Sequence, residues 1–192
     1  MGGKTAGLVL AAGAGRRYGM PKALVPYPDR LLVEHAADTL RAAGLSQVVV
    51  VLGAEADRVR AAAPGLPQVV VNPGWATGLG SSLRAGLSAL HGTGAEAAVV
   101  LLVDMPGVTA EAVRRVCALS GEDALVMGAY GDRRGHPVLL GRKHWAGVAA
   151  AATGDSGARD YLRAHAGLVR LVAVGDVADD LDLDVPELNP HA

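Results

Sequence analysis

The chain has 192 residues, 51% hydrophobic and 19% charged, with 26 glycines and no phenylalanine, a length and composition that exclude a disordered chain and suit one domain with a sizeable core. A net charge of −1 supplies no basic field for a nucleic-acid backbone. A single cysteine excludes an intrachain disulfide and a thiolate-rich zinc site, and no apolar run reaches the roughly 20 residues that cross a bilayer.

Strand-length apolar runs alternate with helix-period segments. Thr5–Ala11 (TAGLVLA) reads as a buried strand, followed by a glycine-rich loop over 12–19. Because Lys4 leads into this strand, no signal peptide is predicted and the protein is expected in the cytoplasm. Residues 32–43 place Leu32, Ala36, Leu40 and Ala43 on one helical face, ended by Gly44. A strand over 47–52 (QVVVVL) and a helix over 55–63, closed by Pro64, come next. Gln68–Val71 is a short strand feeding the polar loop NPGWATGLG, and a helix over 81–90 starts near Ser81 and Ser82. Residues 97–103 form the longest apolar run and the expected central strand. A helix over 110–119 is next, with Cys117 packed on the face of Val113 and Val116. Then come a strand over 124–129, a polar turn GDRRGHP, a strand over 138–140, a helix over 160–165, a strand over 168–174 and an acidic tail. The alternation predicts an α/β fold, a Rossmann-like three-layer sandwich with a mainly parallel central sheet, as a single domain over 1–192. Ligands of such folds bind at the carboxyl ends of the strands.

The glycine loop fits neither familiar phosphate pattern. Gly13 and Gly15 are followed by Gly19, one residue too far for the dinucleotide fingerprint, and Lys22 lies between Pro21 and Ala23 rather than in Gly-Lys-Ser/Thr. What remains is a small-residue loop leaving a buried strand beside Arg16, Arg17 and Lys22. Its N–H groups and cations suit a triphosphate, and the alternative is a tight strand-to-helix turn with solvated arginines. Asp104 ends the run AAVVLLVD, so its carboxylate stands at the end of a central strand, either as a Mg2+ ligand or as a turn cap. Five other histidines besides His136 show no metal-ligand spacing.

LAAGAGRRYGMPK resembles the nucleotidyltransferase superfamily signature, L-A-[AG]-G, three residues, R-x-G and a lysine shortly after. Leu10, Ala11, Ala12, Gly13, Arg17, Gly19 and Lys22 occupy those positions. NPGWATGLGSSLRAGL, LLVDMPGVT, RRGHPVLLGRKHW, GDSGARDYL and LDLDVPEL are similar, in order along nearly the whole chain, to segments of molybdenum cofactor cytidylyltransferases, a branch with the MobA-like NTP transferase fold. Tyr18 stands where that branch commonly has Met, and the tail reads DLDVPELN where it favours D-x-D-T-P-E-D.

The resemblance implies transfer of CMP from CTP to molybdopterin or another phosphorylated acceptor, with release of pyrophosphate and Mg2+ as cofactor. It implies that Leu10, Ala11, Ala12, Gly13, Ala14 and Gly15 cradle phosphates, with Arg17 and Lys22 offsetting charge. Asp104 is the implied first metal ligand and Asp184 the second, with Asp182 close behind; a solvated acidic strand end is the other reading of that tail. Asn72, Gly78, Gly80, Ser81 and Ser82 are candidates for base and ribose recognition, or for N-capping the next helix. Trp75 either covers the nucleotide or anchors its loop. His136, Asp155 and Arg159 are acceptor candidates, with Arg133 or Arg134 assisting; a solvated turn is the alternative for His136, and Asp155 is also read as a helix cap. A molybdenum enzyme or its chaperone is an implied partner; nucleic acid and membrane are not. The competing functions are a nucleotidyltransferase for another base or acceptor (GTP, a sugar phosphate), an NAD(P)H-dependent oxidoreductase, and a non-catalytic cofactor-binding module.

Overall fold

The structure, a computed structural model, describes residues 4–184. The chain begins with β1 (Thr5–Ala11), a small hairpin of β2 (Pro26–Tyr27) and β3 (Arg30–Leu31), α1 (Leu32–Ala42) and β4 (Val48–Leu52). It continues through α2 (Ala56–Ala62), β5 (Gln68–Val71), α3 (Leu79–Leu90), β6 (Ala97–Leu102) and α4 (Ala110–Cys117). The last third carries β7 (Leu125–Tyr130), β8 (Arg133–Gly141), α5 (Trp145–Ala151), α6 (Arg159–Ala164) and β9 (Val169–Ala173).

Seven strands form one sheet in the order β5-β4-β1-β6-β8-β7-β9. All neighbours pair in parallel except β6 with β8 and β7 with β8, so β8 alone runs backwards. The predicted α/β three-layer arrangement is what forms. Val9, Val50 and Val99 point to a core shared with α1, α2 and α4. Leu8, Leu10, Val51 and Val100, one residue out of phase, point to a second core under α3, α5 and α6. Strands buried on both faces read as continuous Val/Leu/Ala runs because neither face needs polar residues. β6, the longest such run, is the fourth of the seven strands.

The sequence misplaces the start of β8 and misses α5 and the β2–β3 hairpin. GDRRGHP is a turn only at Gly131, where φ is 63°, and Asp132; Arg133 to Pro137 already belong to β8. Across the hairpin Met127 pairs with Val138 but Gly128 with Gly135, which leaves His136 and Pro137 as an unpaired bulge. A bulge accommodates a proline that cannot donate to the ladder and re-aims the side chain beside it. The helix α5 has the sequence WAGVAAA, which lacks a polar face to mark its period; it is fixed by Trp145, fully buried with its Nε1 donating to the Leu140 carbonyl at 2.8 Å. The two-residue strands β2 and β3 are too short to show a pattern.

Candidate active site

β1 lies between β4 and β6, so the loop leaving its carboxyl end opens at a point where the chain's connections diverge to either side. Gly15 gives that loop its shape. Its φ is 58°, and a Cβ there would overlap the Met20 carbonyl oxygen. Among the described residues, the backbone N–H groups of Gly13, Ala14 and Gly15 have no protein acceptor. They border a cavity of about 470 Å3 whose wall also includes Arg17, Lys22, Asp104 and Asp184. An exposed row of free N–H donors beside cations is an anion cradle.

Lys22, at the start of a 3-10 turn, is the hub. Its Nζ donates to Asp104 Oδ2 at 2.7 Å and to Asp184 Oδ1 at 2.9 Å, with only 13% of the side chain exposed. Burial alone would lower the ammonium's pKa, but the hydrogen bonds and charges of Asp104 and Asp184 outweigh it and raise the pKa above 10.5. The Lys22 hydrogen bond in turn holds the Asp184 carboxyl below the usual carboxylate value. Arg17 reaches the other Asp184 oxygen at 3.1 Å. The glycine loop and the strand-terminal carboxylate therefore face one cavity on the same side of the sheet, joined through Lys22.

Asp104 follows the end of β6 by two residues, but Asp184 is delivered by the tail. The tail is tied to the loop after β6 at two points, Asp179 N–H to the Gly107 carbonyl at 3.2 Å and Leu183 N–H to the Asp104 carbonyl at 2.9 Å. Leu183 is buried in the core shared with α4. Arg133 makes a two-pronged bond to Asp180, both contacts at 2.9 Å, with the Asp180 side chain only 10% exposed. Arg133 is thus committed to the tail rather than to an acceptor. No local signal marks this pair, whose members lie 47 residues apart. Of the tail carboxylates, Asp184 reaches Lys22, whereas burial, then the charges of Asp104 and Asp184, push the Asp182 pKa up.

Two carboxylates on one ammonium form a hard-oxygen donor set at the edge of an anion cradle. Mg2+ and similar cations take one or two carboxylates and complete their shell with phosphate and water. Among the described residues no group of three or more His, Cys, Asp or Glu side chains competes for such an ion. Asp104 and Asp184 fit the role chemically.

The opposite wall is built by the loop before α3. Leu10, Ala12, Trp75, Gly78 and Ser82 border the cavity. Ala11, Asn72, Gly80 and Ser81 stand behind it. Asn72 is 6% exposed; its Nδ2 donates to Ser81 Oγ at 2.8 Å and Ser82 Oγ at 3.1 Å, and its Oδ1 accepts from Gly74 N–H. Ser81 donates to the Gly74 and Gly78 carbonyls, so it stitches the loop together. Gly78 has a φ of 109° and abuts the Gly154 carbonyl too closely for a Cβ. Asp155, from that neighbouring loop, accepts the Leu79 N–H at 3.2 Å and so caps α3 from 76 residues away, on the first cavity's wall. Trp75 borders the cavity and packs where Gly53 leaves room for its ring.

A second cavity of about 410 Å3 adjoins the first across Leu10, Leu79 and Leu102. His136 and Arg159 line it, as does Arg134. His136 Nδ1 lies 3.0 Å from the Val100 carbonyl, which fixes the proton on that nitrogen. Burial lowers the pKa of this imidazole, against the smaller opposing effects of that bond and of Asp104.

Residues 7–169 match the MobA-like NTP transferase domain. The chain belongs to this family. The match takes in the glycine loop, Lys22, Asp104, the second cavity and the first cavity's wall apart from Asp184, which lies on the tail beyond it. Among curated relatives, nicotine blue oxidoreductase of Paenarthrobacter nicotinovorans is 40% identical over 190 residues, covering 94% of this chain and 92% of its own. Among solved structures, Rv0371c from Mycobacterium tuberculosis H37Rv superposes with a TM-score of 0.80 at 33% identity, covering 95% of this chain and 94% of that one. The complex of Rv0371c with manganese gives 0.77 at 33% identity, with 93% of both chains covered. Full-length similarity to members of the MobA-like family extends beyond the signature loop to the second cavity's strands. Among the described residues no helix is long and apolar enough to cross a membrane.

Proposed function

We propose that the protein is a divalent-cation-dependent cytidylyltransferase that moves CMP from CTP to a phosphorylated acceptor of the pterin-phosphate type, molybdopterin by family resemblance, releasing pyrophosphate. The observation that carries this is the Lys22 bridge between Asp104 and Asp184, 2.7 and 2.9 Å away, beside unpaired N–H groups in one cavity. An acceptor phosphate oxygen attacks the α-phosphorus, the bond to the bridging oxygen breaks, and pyrophosphate leaves. The nucleophile is already anionic, so the protein need not remove a proton from it. Its work is positioning and charge neutralisation.

The N–H groups of Gly13 to Gly15 would hold the terminal phosphates, and Arg17 with Lys22 would offset the charge that builds on pyrophosphate. Asp104 and Asp184 would hold Mg2+, which when bound supplies a Lewis acid at the phosphates; the manganese complex of Rv0371c supports a divalent ion in this family. Ser82 and the backbone at Gly78 face the same cavity and would read base and ribose, with Asn72, Gly80 and Ser81 keeping that loop in shape. His136 and Arg159 would meet the acceptor, and Asp155 acts by capping α3.

The name of the Paenarthrobacter relative favours a second reading, an NAD(P)H-dependent oxidoreductase whose dinucleotide pyrophosphate occupies the same cradle. Against it, Glu55, the acidic residue just after β4, pairs with Arg58 at 2.7 Å and is not on the cavity wall. Pyrophosphate release is to be measured across the four triphosphates with pterin and sugar phosphates, and NAD(P)H oxidation in parallel. CTP-dependent release with a pterin phosphate is expected. Release with GTP alone, or NAD(P)H turnover without release, overturns the cytidylyl assignment.

A further inference from the structure

Asp104 and Asp184 offer four carboxylate oxygens, and the protein's own cations hold three of them. Lys22 Nζ lies 2.7 Å from Asp104 Oδ2 and 2.9 Å from Asp184 Oδ1, and Arg17 Nη1 lies 3.1 Å from Asp184 Oδ2. An ammonium and a guanidinium against two carboxylates leave these four side chains with no net charge. A divalent cation bonded directly to such oxygens stands roughly 2 Å from each. Bridging the same two oxygens as Nζ, it would lie within about 4 Å of the ammonium, two like charges competing for one pair of anions. Both cannot hold the pair at once.

Lys22 has a second place to go. Its third ammonium N–H has no protein partner among the described residues, and its side chain borders the cavity that Gly13, Ala14 and Gly15 also line. The flexible four-carbon stem lets Nζ move between partners on that wall. Arg17 is held more loosely still, by one contact, with 76% of its side chain exposed. A triphosphate on the free N–H groups brings several negative charges to the same wall. It draws both cations to its own oxygens and leaves two carboxylates uncompensated. A bridge that served only the fold would have no such alternative partner beside it.

We propose that Lys22, with Arg17, is a resident cation that keeps free divalent ions off Asp104 and Asp184 until a triphosphate draws it away. The identity of that polyanion rests on the nucleotidyl-transfer reading. Lys22 then serves twice, on the carboxylates before nucleotide arrives and on the phosphates afterwards. Metal and nucleotide bind as a coupled pair, and by linkage each raises the other's affinity by the same factor.

Mn2+ binding to the full chain without nucleotide, read by electron paramagnetic resonance, tests this. Lys22→Met keeps the length of the side chain and removes its charge; it should bind Mn2+ about tenfold tighter than the parent, and Arg17→Ala about threefold tighter. The gain in Lys22→Met should disappear when Asp104→Asn is added. Arg16→Ala controls for a general field, since Arg16 borders the same cavity with no carboxylate partner among the described residues, and it should shift the affinity less than about twofold. Equilibrium dialysis of α,β-methylene-CTP with and without Mn2+ gives a second readout. Its enhancement by Mn2+ should be about tenfold smaller in Lys22→Met, the chelate in solution being common to both proteins. Unchanged or weaker Mn2+ binding in Lys22→Met, or equal tightening in Arg16→Ala, overturns the proposal. Should Lys22→Met fail to fold, Arg17→Ala against Arg16→Ala decides it. Nucleotide binding without the Mn2+ gain sinks the resident-cation role alone. The Mn2+ gain without binding of the nucleotide analogue sinks nucleotidyl transfer and leaves the hold of Lys22 on the carboxylates standing.

Discussion

The two cavities of the sheet are built by different means. In the half made of β5, β4, β1 and β6, the cavity is built at the strand ends, from a loop of free N–H groups and a terminal carboxylate. The second cavity is built on the face of β6, β8 and β7 and beside a bulge in the strand that runs backwards. A parallel strand ends in an open loop, so its chemistry gathers in a few consecutive residues. A reversed strand brings its start to the same edge, and its chemistry is spread over alternating side chains.

The largest expected effect breaks the first half alone. Lys22→Ala should lower the turnover of pyrophosphate release by about 10² or more at saturating nucleotide. An unchanged rate would show that the Lys22 bridge is structural only. Asp104→Asn should weaken Mn2+ binding, read by electron paramagnetic resonance, while the fold persists; full Mn2+ affinity in that variant would remove the carboxylate from the metal site.

The tail links the halves, since Asp184 belongs to the first site while Arg133 holds Asp180 from the second. Leu183→Ala should cost about 2 kcal/mol or more in denaturant unfolding, because a buried leucine leaves a cavity. Arg133→Ala should cost about 1 kcal/mol or less, as the guanidinium is largely exposed. Its diagnostic is faster amide exchange at Leu183 with β1 unaffected; equal protection in both variants and the parent would mean the tail holds itself. The smallest effect is on pH. The Asp184 carboxyl titrates below its ordinary 3.8 in the folded chain, so its bond to Lys22 stabilises the tail above about pH 4 and is lost as pH falls through the lower folded value. The Lys22 pKa is raised, so its contribution is full below 10.5 and fades only above that. Leu183 exchange, corrected for intrinsic rates, should be flat between these limits apart from the acid end, where Asp182 titrates above its ordinary 3.8, and a step near neutrality would point to another group.

The legibility of the sequence divides along the same line. Thr5–Ala11 stands where its apolar run puts it, because a strand buried on both faces leaves an unbroken signal, and Gln68–Val71 stands in place as a half-exposed edge strand. Lys22 and Asp104 are readable as candidates, but their 2.7 Å contact spans 82 residues and only the parallel β1–β6 register creates it. In the other half, Arg133 and Arg134 look like turn residues because a half-exposed strand can carry charge on its open side. Asn72 stands out in the sequence as a polar candidate, yet its amide serves the loop because Ser81 and Ser82 are nearer than the cavity. Arg133 and Asp180 are not legible as a pair at all, since nothing local fixes which of several surface charges meet.

The most direct test is the crystal structure of the full chain with CTP and Mg2+. The account predicts the triphosphate lying against the N–H groups of Gly13, Ala14 and Gly15, Lys22 beside it, and the ion between phosphate oxygens and the carboxylates of Asp104 and Asp184. A nucleotide bound away from that loop, or an ion held without either carboxylate, would contradict it.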